Sequence, residues 1–143
     1  MKTMMKSTVA VSLAMLCLFS FAACGNTEEP ETGLWANATY MENTTLGDGV
    51  RTVVVDVTAE DKTVTFTVKT DKDSVGAALM EHGLIAGEEG DYGLYIKVVN
   101  GITADYDVDQ SYWAFHIDGE YAMSGVDTTA ITEGVTYQLV YTK

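Results

Sequence analysis

The chain has 143 residues with a formal charge of −13, two cysteines and one proline. That length allows one domain with a core of ordinary size, roughly 100–150 residues, plus short terminal segments. Its 21 acidic against 8 basic side chains repel phosphate backbones and anionic headgroups, so nucleic acid is excluded as an expected partner.

At the N-terminus Lys2 and Lys6 precede an apolar run, Val9 to Phe21. The run is shorter than the about 20 residues needed to span a bilayer, so it reads as a secretion signal. It ends in Phe21-Ala22-Ala23-Cys24, small residues before a cysteine that resemble the bacterial lipobox. That resemblance implies a signal peptide over 1–23 and a lipidated Cys24 anchoring the protein to the extracytoplasmic face of the membrane. Loss of Lys2 and Lys6 would take the formal charge from −13 to −15. Cys17 would leave with the signal, so no thiol pair would remain for a disulfide or a thiolate metal site. Residues 24–33 carry the single proline, Pro30, and no large apolar side chain, which predicts a flexible tether.

The folded domain is expected over 34–143, with Leu34 to Leu46 as an arm covering part of a sheet. Val53, Val55 and Val57 alternate, as do Val64, Phe66 and Val68 against Thr63, Thr65, Thr67 and Lys69. The period of two predicts two strands, and Ala59-Glu60-Asp61-Lys62 between them predicts a hairpin turn. A helix follows, capped by Asp73 or Ser74, with Val75, Ala78 and Leu79 at helical spacing and Gly83 ending it in a left-handed conformation. At about ten residues it cannot stand alone in water and must lie on the sheet. Strand-like segments then come at Tyr92–Val99, Ser111–Ile117, Glu120–Met123 and Val135–Thr142, separated by turns at Asn100-Gly101, Asp118-Gly119 and Glu133-Gly134.

This order predicts an α+β fold, a β-grasp-like mixed sheet with one packed helix. Five strands would present a face of about 24 by 18 Å, whereas a ten-residue helix covers about 15 by 10 Å. Much of the sheet is therefore expected to meet the arm, solvent or a ligand.

Catalytic constellations are absent from the sequence, and no enzyme activity is expected. His82 falls in the last helical turn, where a cation suits the helix dipole, and His116 falls in a strand. Neither sits in a nucleophile or metal motif. Asp105, Asp107 and Asp109 match the first three ligand positions of an EF-hand loop, but Gln110 and His116 stand where glycine and glutamate are required. A solvated acidic loop is expected there, with a weak calcium site of the three acids as the alternative, and no cofactor is expected. The aromatic density lies in Tyr112-Trp113-Ala114-Phe115-His116-Ile117-Asp118-Gly119-Glu120-Tyr121. Alternation puts Trp113, Phe115 and Ile117 on one side and Tyr112, Ala114 and His116 on the other. With Tyr92 and Tyr95 on the preceding strand and Tyr121 across the turn, these rings suit either core packing or a wet, partly apolar contact.

The series Ser74-Val75-Gly76-Ala77-Ala78-Leu79, then Tyr92-Gly93-Leu94-Tyr95-Ile96 with Asn100-Gly101, then Tyr112-Trp113-Ala114-Phe115 through Gly125-Val126, and a final Ile131–Tyr141 strand resembles the transcobalamin-like C-terminal domain. That family includes the β-domain of animal vitamin carriers and bacterial lipoproteins that carry it behind a lipobox. The resemblance covers 34–143 and implies a β-grasp-like domain that covers one side of a bound corrinoid. It places ligand-facing positions at Ile96, Phe115 and Ala122, with Tyr95 and Tyr121 adjacent; Tyr112 and Trp113 join them from the aromatic strand. In the animal carriers a separate helical domain covers the other side of the ligand. The implied function is capture of a small ligand, cobalamin or a related corrinoid, for delivery to a membrane importer. A cell-envelope protein-interaction or structural module is the alternative.

Overall fold

A computed structural model describes residues 32–143. The expected signal, the lipidation site Cys24 and most of the tether lie outside the described residues.

Gly33–Asn37 forms a 3-10 turn that drives Trp35 into the core, where its indole Nε1 donates to the Ala59 carbonyl at 2.9 Å. The Lys62 ammonium sits 4.9 Å from the centre of the same ring, a cation–π contact that closes the base of the arm. The chain continues into β1 (Thr44–Gly47), which adds in parallel to the edge of β3. The predicted hairpin is β2 (Arg51–Ala59) with β3 (Lys62–Thr70). Its register sets Val53 opposite Val68, Val55 opposite Phe66 and Val57 opposite Val64, all fully buried on one face. The other face is polar: Thr65 Oγ1 donates to Asp56 at 2.6 Å, and the Thr58 and Thr63 hydroxyls pair at 2.8 Å. Alternation of β-branched apolar and threonine residues is what a half-buried strand requires.

Helix α1 (Val75–Glu81) starts where Ser74 Oγ accepts the Ala77 N–H at 3.2 Å, and Gly83 follows it at φ 65°. Beyond it come β4 (Ile85–Gly90), β5 (Gly93–Val99), β6 (Ile102–Thr103), the single helical turn α2 (Tyr106–Asp109), β7 (Tyr112–Ile117), β8 (Glu120–Tyr121) and β9 (Thr136–Thr142). Among the described residues the strands form a six-stranded sheet in the order β1-β3-β2-β9-β7-β8 and a three-stranded sheet β4-β5-β6. Strand β9 runs parallel to β2 and antiparallel to β7, so the main sheet is mixed. The molecule is α+β, with one main helix packed on sheet.

The inner face of the main sheet is covered differently from the estimate based on area. Gly93–Val99 does not join the main sheet; it pairs with β4 and β6 in a sheet of its own. Ile85, Ile96, Val99 and Ile102 of that second sheet belong to the same core as Val53, Phe66 and Leu79. Asn100 and Gly101, at φ 51° and 80°, make the tight β5–β6 turn, a conformation that asparagine and glycine tolerate. Strand β4 exposes every residue after Ile85, so it shows no alternation in the sequence. The uncovered face of the hairpin is the threonine-rich one, and the aromatic rings lie largely on the covered side.

Candidate functional site

The main sheet reaches β7 through β9: Phe115 lies opposite Leu139, Trp113 opposite Tyr141 and Ile117 opposite Tyr137. Trp113 meets Tyr141 edge to face at 5.5 Å, and Phe115 stacks on Tyr137 at 6.1 Å. These two rings, with Ile96, are buried, so of the two roles open to the aromatic strand, Trp113 and Phe115 take core packing. The register forces this result, because inward positions of β7 fall in line with the buried positions of β9 and β2.

Burial has not closed the place. A hollow of about 210 Å³ lies between β5 and β7, and Tyr95, Ile96, Tyr112, Trp113, Phe115, Tyr121 and Ala122 all border it. Ile96, Trp113 and Phe115 are its buried floor, whereas Tyr95 and Tyr121 are 42% and 63% exposed at its rim. Ala122 is brought in by its N–H donating to the Phe115 carbonyl at 2.9 Å. The Asp118-Gly119 turn, at φ 49° and 86°, folds Tyr121 back so that its ring meets His116 edge to face at 5.2 Å. Tyr92 is not at the hollow: it stands almost fully exposed in the β4–β5 turn.

Four further residues line the hollow: Leu94 on β5 and the segment Ser124, Gly125 and Val126. That segment is fixed by α1. Gly76 N–H donates to the Val126 carbonyl at 2.8 Å, and Val75 N–H to the Thr129 carbonyl at 2.9 Å. A Cβ on Gly76 would lie 2.8 Å from the Asp127 backbone. The Gly125-Val126 pair was visible in the sequence, but its position against a helix N-terminus depends on long-range packing.

Among the described residues, His82 Nε2, Trp113 Nε1, His116 Nδ1 and Asp127 Oδ1 are buried polar atoms with no hydrogen-bond partner in the protein. A buried donor left unpaired costs about 1–3 kcal/mol, and Trp113, one of the residues bordering the hollow, carries such an N–H. The acidic stretch is not a loop of free ligands. Asp105 caps α2, accepting the Asp107 N–H at 3.0 Å. Asp109 accepts from the Ser111 hydroxyl and N–H and meets the Lys143 ammonium at 3.1 Å. The Ser111 hydroxyl bond, followed by Lys143, holds the Asp109 carboxyl below the usual range. Among the described residues no three His, Cys, Asp or Glu side chains converge as a metal set. His82 takes the helix C-cap, with Nε2 3.7 Å from Glu81.

Residues 72–143 match the family described as a domain of unknown function, DUF4430. A crystal structure from Ruminococcus gnavus ATCC 29149, described provisionally as a metal-binding protein, is 31% identical with a TM-score of 0.61. The match covers 65% of this chain and 97% of that one. Haptocorrin in complex with Cbi matches with a TM-score of 0.55 and 20% identity over 65% of this chain, a likeness of fold alone. The chain spans 25% of haptocorrin's length. No curated protein matches.

Proposed function

The chain belongs to the DUF4430 family, and from that premise we propose that it is a non-enzymatic binding protein for a small ligand. The observation that carries the reading is one hollow bordered by seven residues that the sequence itself nominates, floored by Trp113, Phe115 and Ile96. A hollow of about 210 Å³ is smaller than the roughly 300–1,000 Å³ of sites that enclose a drug-sized molecule. It suits the edge of a larger ligand seated on the rim, with Tyr95 and Tyr121 spreading over the ligand's apolar face. Each Å² so covered is worth about 25 cal/mol.

A corrinoid fits this description: flat, larger than the hollow, and rimmed with amides that can accept from the Trp113 N–H. The shared fold with haptocorrin, solved with Cbi, supports that class. Lipid anchoring through Cys24 at the extracytoplasmic face, and hand-over to an importer that covers the ligand's other side, complete the proposal. A metal ion, suggested by the Ruminococcus relative, has weaker support because no converging donor set occurs among the described residues. A protein-interaction module is the second reading, favoured by the fully exposed Met123 and the exposed Tyr121 beside the hollow.

The test is calorimetric titration of the purified protein with cobalamin and cobinamide, repeated with Tyr112→Ala. Saturable binding at micromolar concentration, weakened about tenfold by the variant, is expected. No saturation up to high micromolar would remove the corrinoid reading and leave the protein-interaction module.

A further inference from the structure

A second concavity adjoins the hollow across Tyr95 and Tyr112. It is a cleft of about 460 Å³ lined by Tyr95, Lys97, Asp105, Tyr106, Asp107 and Tyr112. The volume falls within the range of small-molecule sites, and its chemistry differs from that of the hollow. Its walls are three tyrosines, none of which stacks on another ring among the described residues. Tyr95 and Tyr106 are 42% and 55% exposed, large rings left at the mouth of a cleft. Tyr106 opens α2 directly after its cap, Asp105, so a single helical turn delivers one ring and two carboxylates to the same wall.

The charges decide what the cleft selects. Among the described residues Lys97 is the only cation lining it, and its ammonium is bonded to Glu88 at 3.3 Å. That bond and the attraction of Glu88, with smaller contributions from Asp105 and Asp107, raise the Lys97 pKa above its ordinary value, so one ammonium faces three carboxylates. Asp105 and Asp107 then leave the cleft negative, on a chain whose formal charge is −13. An anion is repelled from such a place. A cation meets both the carboxylates and the negative faces of tyrosine rings, which attract an ammonium group lying within about 6 Å of a ring centre.

We propose that this cleft is a binding site for the ammonium head of a small organic cation, held by Tyr95, Tyr106 and Tyr112 with Asp107 supplying charge. The cleft shares Tyr95 and Tyr112 with the hollow but takes Tyr106 and Asp107 from α2, so substitutions at those two positions separate its failure from that of the corrinoid reading.

The probe is choline, compared with 3,3-dimethyl-1-butanol, a neutral molecule of the same shape, and with acetate. Binding is followed on the full chain through the NMR signals of the tyrosine rings. Choline is expected to saturate on the order of 1 mM while shifting the rings of Tyr95, Tyr106 and Tyr112, and the neutral analogue to bind at least about tenfold more weakly. Tyr106→Ala and Asp107→Asn, both at exposed positions, should each weaken choline by about fivefold or more. Equal binding of the neutral analogue, saturable binding of acetate, or equal shifts at the remote Tyr92 would each overturn the assignment.

Discussion

Trp113 packs its ring on Tyr141 and presents an indole N–H that no protein atom accepts. A conservative substitution separates these two properties. Trp113→Phe keeps an aromatic ring in the wall but deletes the donor. Lost ring volume destabilises the fold by about 1–2 kcal/mol, and removal of an unpaired buried donor offsets a similar amount. Thermal stability is therefore expected to change little. Affinity for a ligand that presents a carbonyl should fall about tenfold, the worth of one good hydrogen bond in a dry site. Denaturant unfolding and titration of the same variant check both halves; equal affinity would mean that the N–H reads nothing. His116 also has an unpartnered ring nitrogen but lies on the half-buried side of β7 and does not border the hollow.

Element contacts turn on Gly76 in the first turn of α1. In an exposed helix, glycine to alanine stabilises by about 0.8–1 kcal/mol. Here the added Cβ would meet the Asp127 backbone at 2.8 Å and the Val126 carbonyl carbon at 3.0 Å, and backbone cannot yield as a flexible side chain does. Gly76→Ala is expected to reverse the usual sign, destabilising by about 1–3 kcal/mol. It should also shift the NMR signals of Ser124 to Val126, the wall of the hollow. Stabilisation would show that the segment simply moves away. The same residue illustrates what could be read from the chain. The helix, a cap at Asp73 or Ser74 and the Gly83 stop were legible because caps and apolar spacing are local signals, and the β2–β3 hairpin was legible through strict alternation. The close approach of residues 126–131 to residues 73–76 at the start of α1 is a contact across about 50 positions and leaves no periodic trace. Strand β4 was missed for a related reason: only Ile85 is buried, so backbone pairing with β5 creates the strand without any hydrophobic pattern. The seven nominated residues do share one hollow, but the cleft beside it was hidden, since Asp105 to Asp109 read as a loop and fold as a helical turn.

Across the whole molecule, the arm and the hollow occupy different parts of the core, which makes them separable. The arm enters with Trp35 under the β2–β3 turn, crosses Phe66 through an edge contact from Tyr40 at 5.7 Å, and finishes as the edge strand β1. Its fastening is Asn100, 1% exposed at the β5–β6 turn. The Asn100 Oδ1 accepts the Tyr40 N–H at 2.9 Å, its Nδ2 donates to the Tyr40 carbonyl at 2.8 Å, and its own carbonyl accepts the Thr39 N–H at 2.9 Å. Asn100→Gly preserves the left-handed turn at φ 51° and removes the two side-chain bonds. Two net hydrogen bonds are worth about 1–3 kcal/mol, and glycine adds up to about 1 kcal/mol in unfolded-chain entropy. A loss of about 1–4 kcal/mol is expected, with faster amide exchange through Thr39 to Leu46. Binding at the hollow should stay within about twofold of the parent, because Tyr95, Trp113 and Ala122 touch none of these groups. A parallel loss of affinity would make the arm part of the binding apparatus and would require the fold to couple its two ends.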